Sequence, residues 1–161
     1  MTKVYLDSWI LRGLVSKKSS QRGDAKREIS KLRSHSFDVS ISQIVIGETI
    51  STVFRDYDDP NDAHNILTKL YDDIMPILDA SSCMPPLTMD VYQKANELKN
   101  ADSHLKDTDI IITAQALLDP NSERLLTNDR DLVNSRVIKE EEERMRQAGL
   151  RNVLLKIVDG L

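Results

Sequence analysis

The chain has 161 residues, a net charge of −4, and 40% hydrophobic against 30% charged residues. This length and balance favour one compact domain over residues 1–161 with a real apolar core, and they argue against a disordered or fibrous chain. The longest uncharged stretch, Ala80 to Met89, is about half a membrane span, Asp7 interrupts the only early apolar run, and the lone Cys83 allows no internal disulfide. The expectation is therefore a cytoplasmic protein without span, leader or cysteine metal site, with Cys83 read as a small buried residue.

In chain order, Val4-Tyr5-Leu6 reads as a short buried strand, and Asp7-Ser8 starts a helix over Trp9 to Val15. Gly13 and the stretch from Ser16 to Gly23 read as a break. A basic amphipathic helix comes next, from Asp24 to Ser34, with Ala25, Ile29 and Leu32 at helical spacing. Phe37 to Ile41 is a second strand, and Ser42 caps a helix through about Phe54. Asp56 to Asp62 reads as a turn around Pro60, leading to a helix over Ala63 to Leu78; Ser81 to Pro86 is irregular or a brief strand.

Thr88 caps a helix from Asp90 to Asn100, and Asp107 or Thr108 opens another that Asp119-Pro120-Asn121 stops. Arg124 to Thr127 is a strand ending at Asn128-Asp129. A charged helix over Lys139 to Ala148 ends at Gly149, and Val153 to Val158 is the last strand. Glu140 to Glu143 reads as a solvated helix face. Short apolar strands alternating with helices imply an α/β fold, with a mainly parallel sheet of four to five strands covered on both faces.

Charge is distributed unevenly. Between Arg12 and Arg33, eight basic residues face only Asp24 and Glu28, a local balance of +6 that leaves −10 for the rest. That pattern fits a polyanionic ligand on one face. Carboxylates, by contrast, occur singly where segments are otherwise fit for burial. Asp7 is the only charge from Val4 to Leu11, Glu48 from Val39 to Phe54, and Asp109 from Thr108 to Leu118; Asp129 comes soon after the apolar Leu125-Leu126.

Burying a lone carboxylate is costly unless it is paired or holds a cation. Asp7, Asp109 and Asp129 stand near helix starts, where capping is the plain explanation. Glu48 is mid-helix, and its plain explanation is a surface position. Because ligands of open parallel sheets bind beyond the carboxyl ends of the strands, all four acids can face one cleft. Clustered carboxylates repel by roughly 4 kcal/mol per close pair at an effective dielectric near 20. A divalent cation removes that cost, and oxygen-only ligands select Mg²⁺ or Mn²⁺ rather than zinc.

These residues resemble the PIN-domain family, in particular its VapC-type toxin ribonucleases. The matching pieces are Val4-Tyr5-Leu6-Asp7-Ser8, Ile41-Ser42 leading to Gly47-Glu48, Asp107-Thr108-Asp109-Ile110-Ile111-Ile112-Thr113-Ala114-Gln115-Ala116, and Leu125-Leu126-Thr127-Asn128-Asp129-Arg130-Asp131, spread over about residues 3 to 133. The resemblance implies a three-layer α/β/α PIN-like fold and makes Asp7, Glu48, Asp109 and Asp129 the acidic quartet, both catalytic and metal-holding. It implies that Ser8 and Thr127 support the acids and Asn128 shapes the site, with Asp107 and Asp131 as extra acids. It also implies a homodimer and an antitoxin protein as partner. The charged helical segment 134–152 before the last strand departs from the family pattern.

The expected activity is Mg²⁺- or Mn²⁺-dependent endoribonuclease hydrolysis, with no histidine as base. The cation would activate water and neutralise phosphate charge, and the resemblance implies 5′-phosphate and 3′-hydroxyl products. Lys17, Lys18, Arg22, Lys26 and Arg27 are the expected phosphate contacts to RNA. Trp9 reads as packed against the sheet, and His35, His64 and His104 as surface or core residues. The competing reading is a non-catalytic PIN-like module that binds RNA or protein, which has little use for a costly acidic cluster. A phosphoaspartyl phosphatase wants an aspartate two residues after Asp7, where Trp9 stands.

Overall fold

The computed structural model describes residues 1–78 and 84–161. Cys83 and the first part of the stretch from Ser81 to Pro86 lie outside those residues, and Met84 to Pro86 form no helix or strand.

The first apolar run, Val4, Tyr5 and Leu6, is at most 3% exposed, because β1 (Lys3–Leu6) is paired on both sides. It runs parallel to β2 (Asp38–Ile41) and to β3 (Ser122–Leu126), and β3 runs parallel to β4 (Lys156–Val158), giving the order β2-β1-β3-β4. A single parallel bridge from Leu78 to Val39 extends the sheet beyond β2. Strands buried on both faces need continuous rather than alternating apolar residues, as β1 and the Leu125-Leu126 end of β3 have.

The helices are α1 (Ser8–Leu14), α2 (Ser19–Ser34), α3 (Gln43–Asp56), α4 (Pro60–Ile74), α5 (Met89–Ala101), α6 (Asp107–Leu118), α7 (Arg130–Val133) and α8 (Arg136–Gln147), with a 3-10 turn over Met75–Ile77. By contact they form two sets: α1 packs on α2 and α3, and α3 on α4, while α5 packs on α6 and α8. The result is the expected three-layer α/β/α arrangement around a parallel sheet. Among the described residues, no helix is long and apolar enough to cross a membrane.

Topology fixes the place of a site. From β1 the chain moves to β2, then crosses back over β1 to β3, so the direction reverses between β1 and β3. A crevice opens at such a switch point beyond the carboxyl ends of the strands. The two ends are tied to each other and to β4: the Asp7 N–H donates to the Leu126 carbonyl at 3.0 Å, and the Thr127 N–H to the Val158 carbonyl at 2.9 Å.

Several local expectations are corrected. Gly13 does not break a helix; it lies inside α1, where a Cβ would stand 2.8 Å from the Ala25 Cβ and 3.1 Å from the Gln21 carbonyl oxygen. It is the contact that lets α1 and α2 approach. The basic helix starts at Ser19 and runs through Gly23, with Ala25, Ile29 and Leu32 buried as spaced. Pro60 is not a turn residue but opens α4, where its missing N–H is no loss, with Asp59 as cap. Thr88 stands at the N-cap of α5 without a side-chain cap bond.

The acidic run 140–143 is not simply solvated. Glu142 is buried and accepts from the Leu155 N–H at 3.2 Å, and Glu141 pairs with Lys94 of α5 at 2.6 Å. Arg151, whose side chain is fully buried, donates to the carbonyls of Ala116, Leu117 and Asp119 at the end of α6 and to that of Ser122 in β3. The 134–152 segment is thereby anchored into the sheet layer. Gly149, just past the end of α8, has φ +73°, a conformation that favours glycine.

Candidate active site

At the carboxyl ends of β1 and β3 lies an open cleft of about 380 Å³, and Asp7, Glu48, Asp109 and Asp129 all line it. The four isolated acids are brought together across a sequence span from residue 7 to residue 129. Each is held by a different local device.

Asp7 leaves the end of β1 and caps α1, accepting from the Ser8 N–H at 2.6 Å. Its other oxygen accepts from the Thr127 hydroxyl at 2.6 Å, so a strand end 120 residues away fixes the carboxylate. The same hydroxyl accepts from the Asp129 N–H at 3.1 Å. Asp129 caps α7 by accepting from the Asp131 N–H at 2.8 Å. Capping and site membership, alternatives at the level of sequence, therefore coexist in Asp7 and Asp129. Asp109 is no cap: it lies within the first turn of α6, buried. Glu48 projects from mid-α3, half-buried, and accepts from the Thr108 hydroxyl at 2.7 Å.

The electrostatics record the crowding. Burial, the Asp7 charge and a hydrogen bond to Asp129 push the Asp109 carboxyl up to about 7. Burial alone would also raise Asp129, but the bonds from Asp109, from the Asp131 N–H and from Lys106 hold it below the usual carboxylate range. The two neighbouring carboxyls are thus pushed apart, Asp109 up and Asp129 down.

Ser8 is buried and lines the cleft, and Asn128 lines it from the exposed side. Asp107 reaches the same rim, with its side chain 89% exposed and 3.1 Å from Lys99. Asp131 is exposed on the first turn of α7, outside the cleft lining. None of Lys17, Lys18, Arg22, Lys26 and Arg27 lines the cleft: Lys17 stands over the Tyr57 ring, Arg22 donates to the Ser16 carbonyl, and Arg27 pairs with Asp24. The cations at the site are Arg12, Lys106 and Arg130, which sequence reasoning did not single out. Lys106 lies 3.5 Å from the Asp129 carboxylate. Thr108 has no local mark of its role, because its partner Glu48 is 60 residues away.

The side chains do not form a closed cage. Among the described residues, no three acidic, histidine or cysteine side chains converge tightly enough to hold an ion unaided. The donor set is nevertheless all oxygen, in a cleft lined by five carboxylates and three cations. Burial and the neighbouring Asp7 and Asp129 carboxylates raise Asp109, and a hard divalent cation would offset the charge part of that crowding. The residues fit such an ion.

No protein-family model matches the sequence, and no curated protein matches it significantly. Solved structures do share the fold. VapBC2 from Rickettsia felis, crystallised bound to a DNA fragment from its promoter, aligns with a TM-score of 0.60 at 15% identity, covering 98% of this chain and 100% of that one. FitAcB from Neisseria gonorrhoeae aligns with a TM-score of 0.57 at 14% identity, covering 95% and 96%. Both are toxin–antitoxin complexes of PIN-domain toxins. At such identities the likeness is one of fold, and in fold this chain is PIN-like over the 95–98% of its length that aligns.

Proposed function

We propose that the protein is a Mg²⁺- or Mn²⁺-dependent endoribonuclease whose cation is held by Asp7, Glu48, Asp109 and Asp129. The observation that carries this reading is the convergence of four separately positioned carboxylates on one cleft. A cation bound there supplies Lewis-acid polarisation and neutralises charge on the phosphodiester.

The protein's own groups do the positioning. Thr127 and the Ser8 N–H orient Asp7, the Asp131 N–H orients Asp129, and Thr108 orients Glu48. As a ligand Asp109 would be ionised, the cation offsetting the burial and the Asp7 charge that raise its carboxyl. Ionised Asp129 is the group able to accept a proton from attacking water. Arg12 and Arg130, both exposed on the rim, offset the charge of the substrate phosphate. Hydrolysis joins the water oxygen to phosphorus and breaks the bond to the 3′ oxygen, leaving a 5′-phosphate and a 3′-hydroxyl. We include a small protein inhibitor in this reading, by analogy with the complexes that share the fold.

The test is cleavage of single-stranded RNA by purified protein. Activity is expected with Mg²⁺ or Mn²⁺, lost in EDTA, and reduced at least about 100-fold in Asp7→Asn and Asp109→Asn. Undiminished cleavage in EDTA or in those variants refutes the proposal.

A further inference from the structure

Beside the carboxylate cleft lies a second cavity of about 400 Å³, within the roughly 300–1,000 Å³ that small-molecule sites occupy. Arg12 and Asn128 line both spaces, so a ligand can extend from one to the other. The walls come from α1 through Trp9, from α2 through Gln21 and Asp24, and from the end of α3 through Asp56. This is an aromatic and hydrogen-bonding lining, not an apolar groove.

Two features of the lining decide what it can hold. Trp9 packs only partly against the core, and its indole N–H is buried with no acceptor among the described residues. Both carboxylates, meanwhile, have guanidinium neighbours: Asp24 pairs with Arg27, and Asp56 lies 3.0 Å from Arg55. Their charge is balanced enough that an anionic nucleotide is not repelled, while their oxygens remain acceptors.

We infer that this cavity is a base-binding subsite, taking the nucleobase next to the phosphodiester held at the carboxylates, and that it selects guanine. The inference rests on the nuclease reading above. An aromatic ring at the wall offers a stacking surface to any base. Carboxylates discriminate further. Guanine presents N1–H and N2–H side by side, which a carboxylate accepts together. Adenine and cytosine set a ring nitrogen acceptor beside their amino group, and uracil sets carbonyls on both sides of its single N–H. Arg12, between the two spaces, is placed to hold the phosphate that joins them.

Trp9 is the only tryptophan and lines this cavity, so its emission is a probe placed at the wall. The experiment titrates the protein with 5′-GMP, AMP, CMP and UMP in EDTA and corrects for nucleotide absorption. The expected result is a saturable GMP response, about tenfold or more tighter than the other three, with a comparable loss of GMP affinity in Asp24→Asn or Asp56→Asn. Both variants change exposed residues and are checked for native circular dichroism. Equal affinity for all four nucleotides, no saturable response, or unchanged GMP affinity in both variants overturns the inference. Because the titration needs neither cation nor cleavage, GMP binding by a protein that fails the cleavage assay would sink the nuclease reading and leave the subsite standing.

Discussion

Asp109 keeps its proton to about pH 7, whereas an unfolded aspartate loses it near 3.8. Between those values the folded form binds more protons than the unfolded one, so stability is full below about pH 4 and falls as pH rises toward 7. Relative to Asp109→Asn, chelator-treated wild type is expected to lose on the order of 1–3 kcal/mol across that window, measured by urea unfolding at a series of pH values. Parallel pH curves for the two proteins would contradict it. Adding Mn²⁺ near neutral pH is expected to raise the Tm of wild type and leave Asp109→Asn nearly unmoved. Thr108→Val removes the hydroxyl that holds Glu48, and roughly a tenfold higher Mn²⁺ concentration is then expected for the same thermal shift. An unchanged midpoint would mean that Glu48 needs no such support. Three of the four acids were legible in the sequence because each is the only charge in an apolar segment or comes soon after one. Glu48 was legible because no cap explains it. Their orienting partners were not, because hydrogen bonds across 60 and 120 residues leave no local trace.

At the scale of elements, two glycines inside helices carry opposite expectations. Gly13→Ala forces a methyl against Ala25 and the Gln21 backbone, and a cost of about 1–3 kcal/mol is expected as α1 is pushed off α2. Gly47 in α3 has nothing within 4 Å of a built Cβ, and Gly47→Ala is expected to stabilise by about 0.5–1 kcal/mol through helix propensity. Denaturant midpoints for the pair check both signs, and destabilisation by both would refute the packing account. Neither outcome was readable from the chain, because a glycine that permits close approach and one that merely weakens a helix look alike in sequence. Strand positions fared better: the apolar run from Val4 to Leu6 and the Phe37–Ile41 segment carry their own burial signal. Pro60 misled because a proline opening a helix and a proline in a turn share the same polar, aspartate-rich surroundings.

For the whole molecule, Arg151 is the point where the segment after β3 is fastened to the sheet layer. Its fully buried guanidinium meets the open carbonyl end of α6, so Arg151→Ala leaves those carbonyls unmet and is expected to cost about 3–5 kcal/mol. The exposed Arg136–Glu140 pair is the contrast, and Arg136→Ala is expected to change stability by about 0–1 kcal/mol. Urea unfolding of the two variants separates these outcomes; equal effects would mean that Arg151 is no anchor. The sequence showed the layered α/β plan through its alternation of strands and helices. It hid this anchor because Glu142 sits in a run of four acids, and a single arginine between Leu150 and Asn152 carries no mark of burial.

Thr127 has two obligations: its amide belongs to the outermost strand and its hydroxyl to the first acid. Any fraying of that short rim strand therefore loosens the grip on the Asp7 carboxylate, even though the two lie on opposite sides of β3. A contact that clamped the rim would sharpen the geometry of the acids from a distance, and slower exchange of the Thr127 amide hydrogen would be its visible sign.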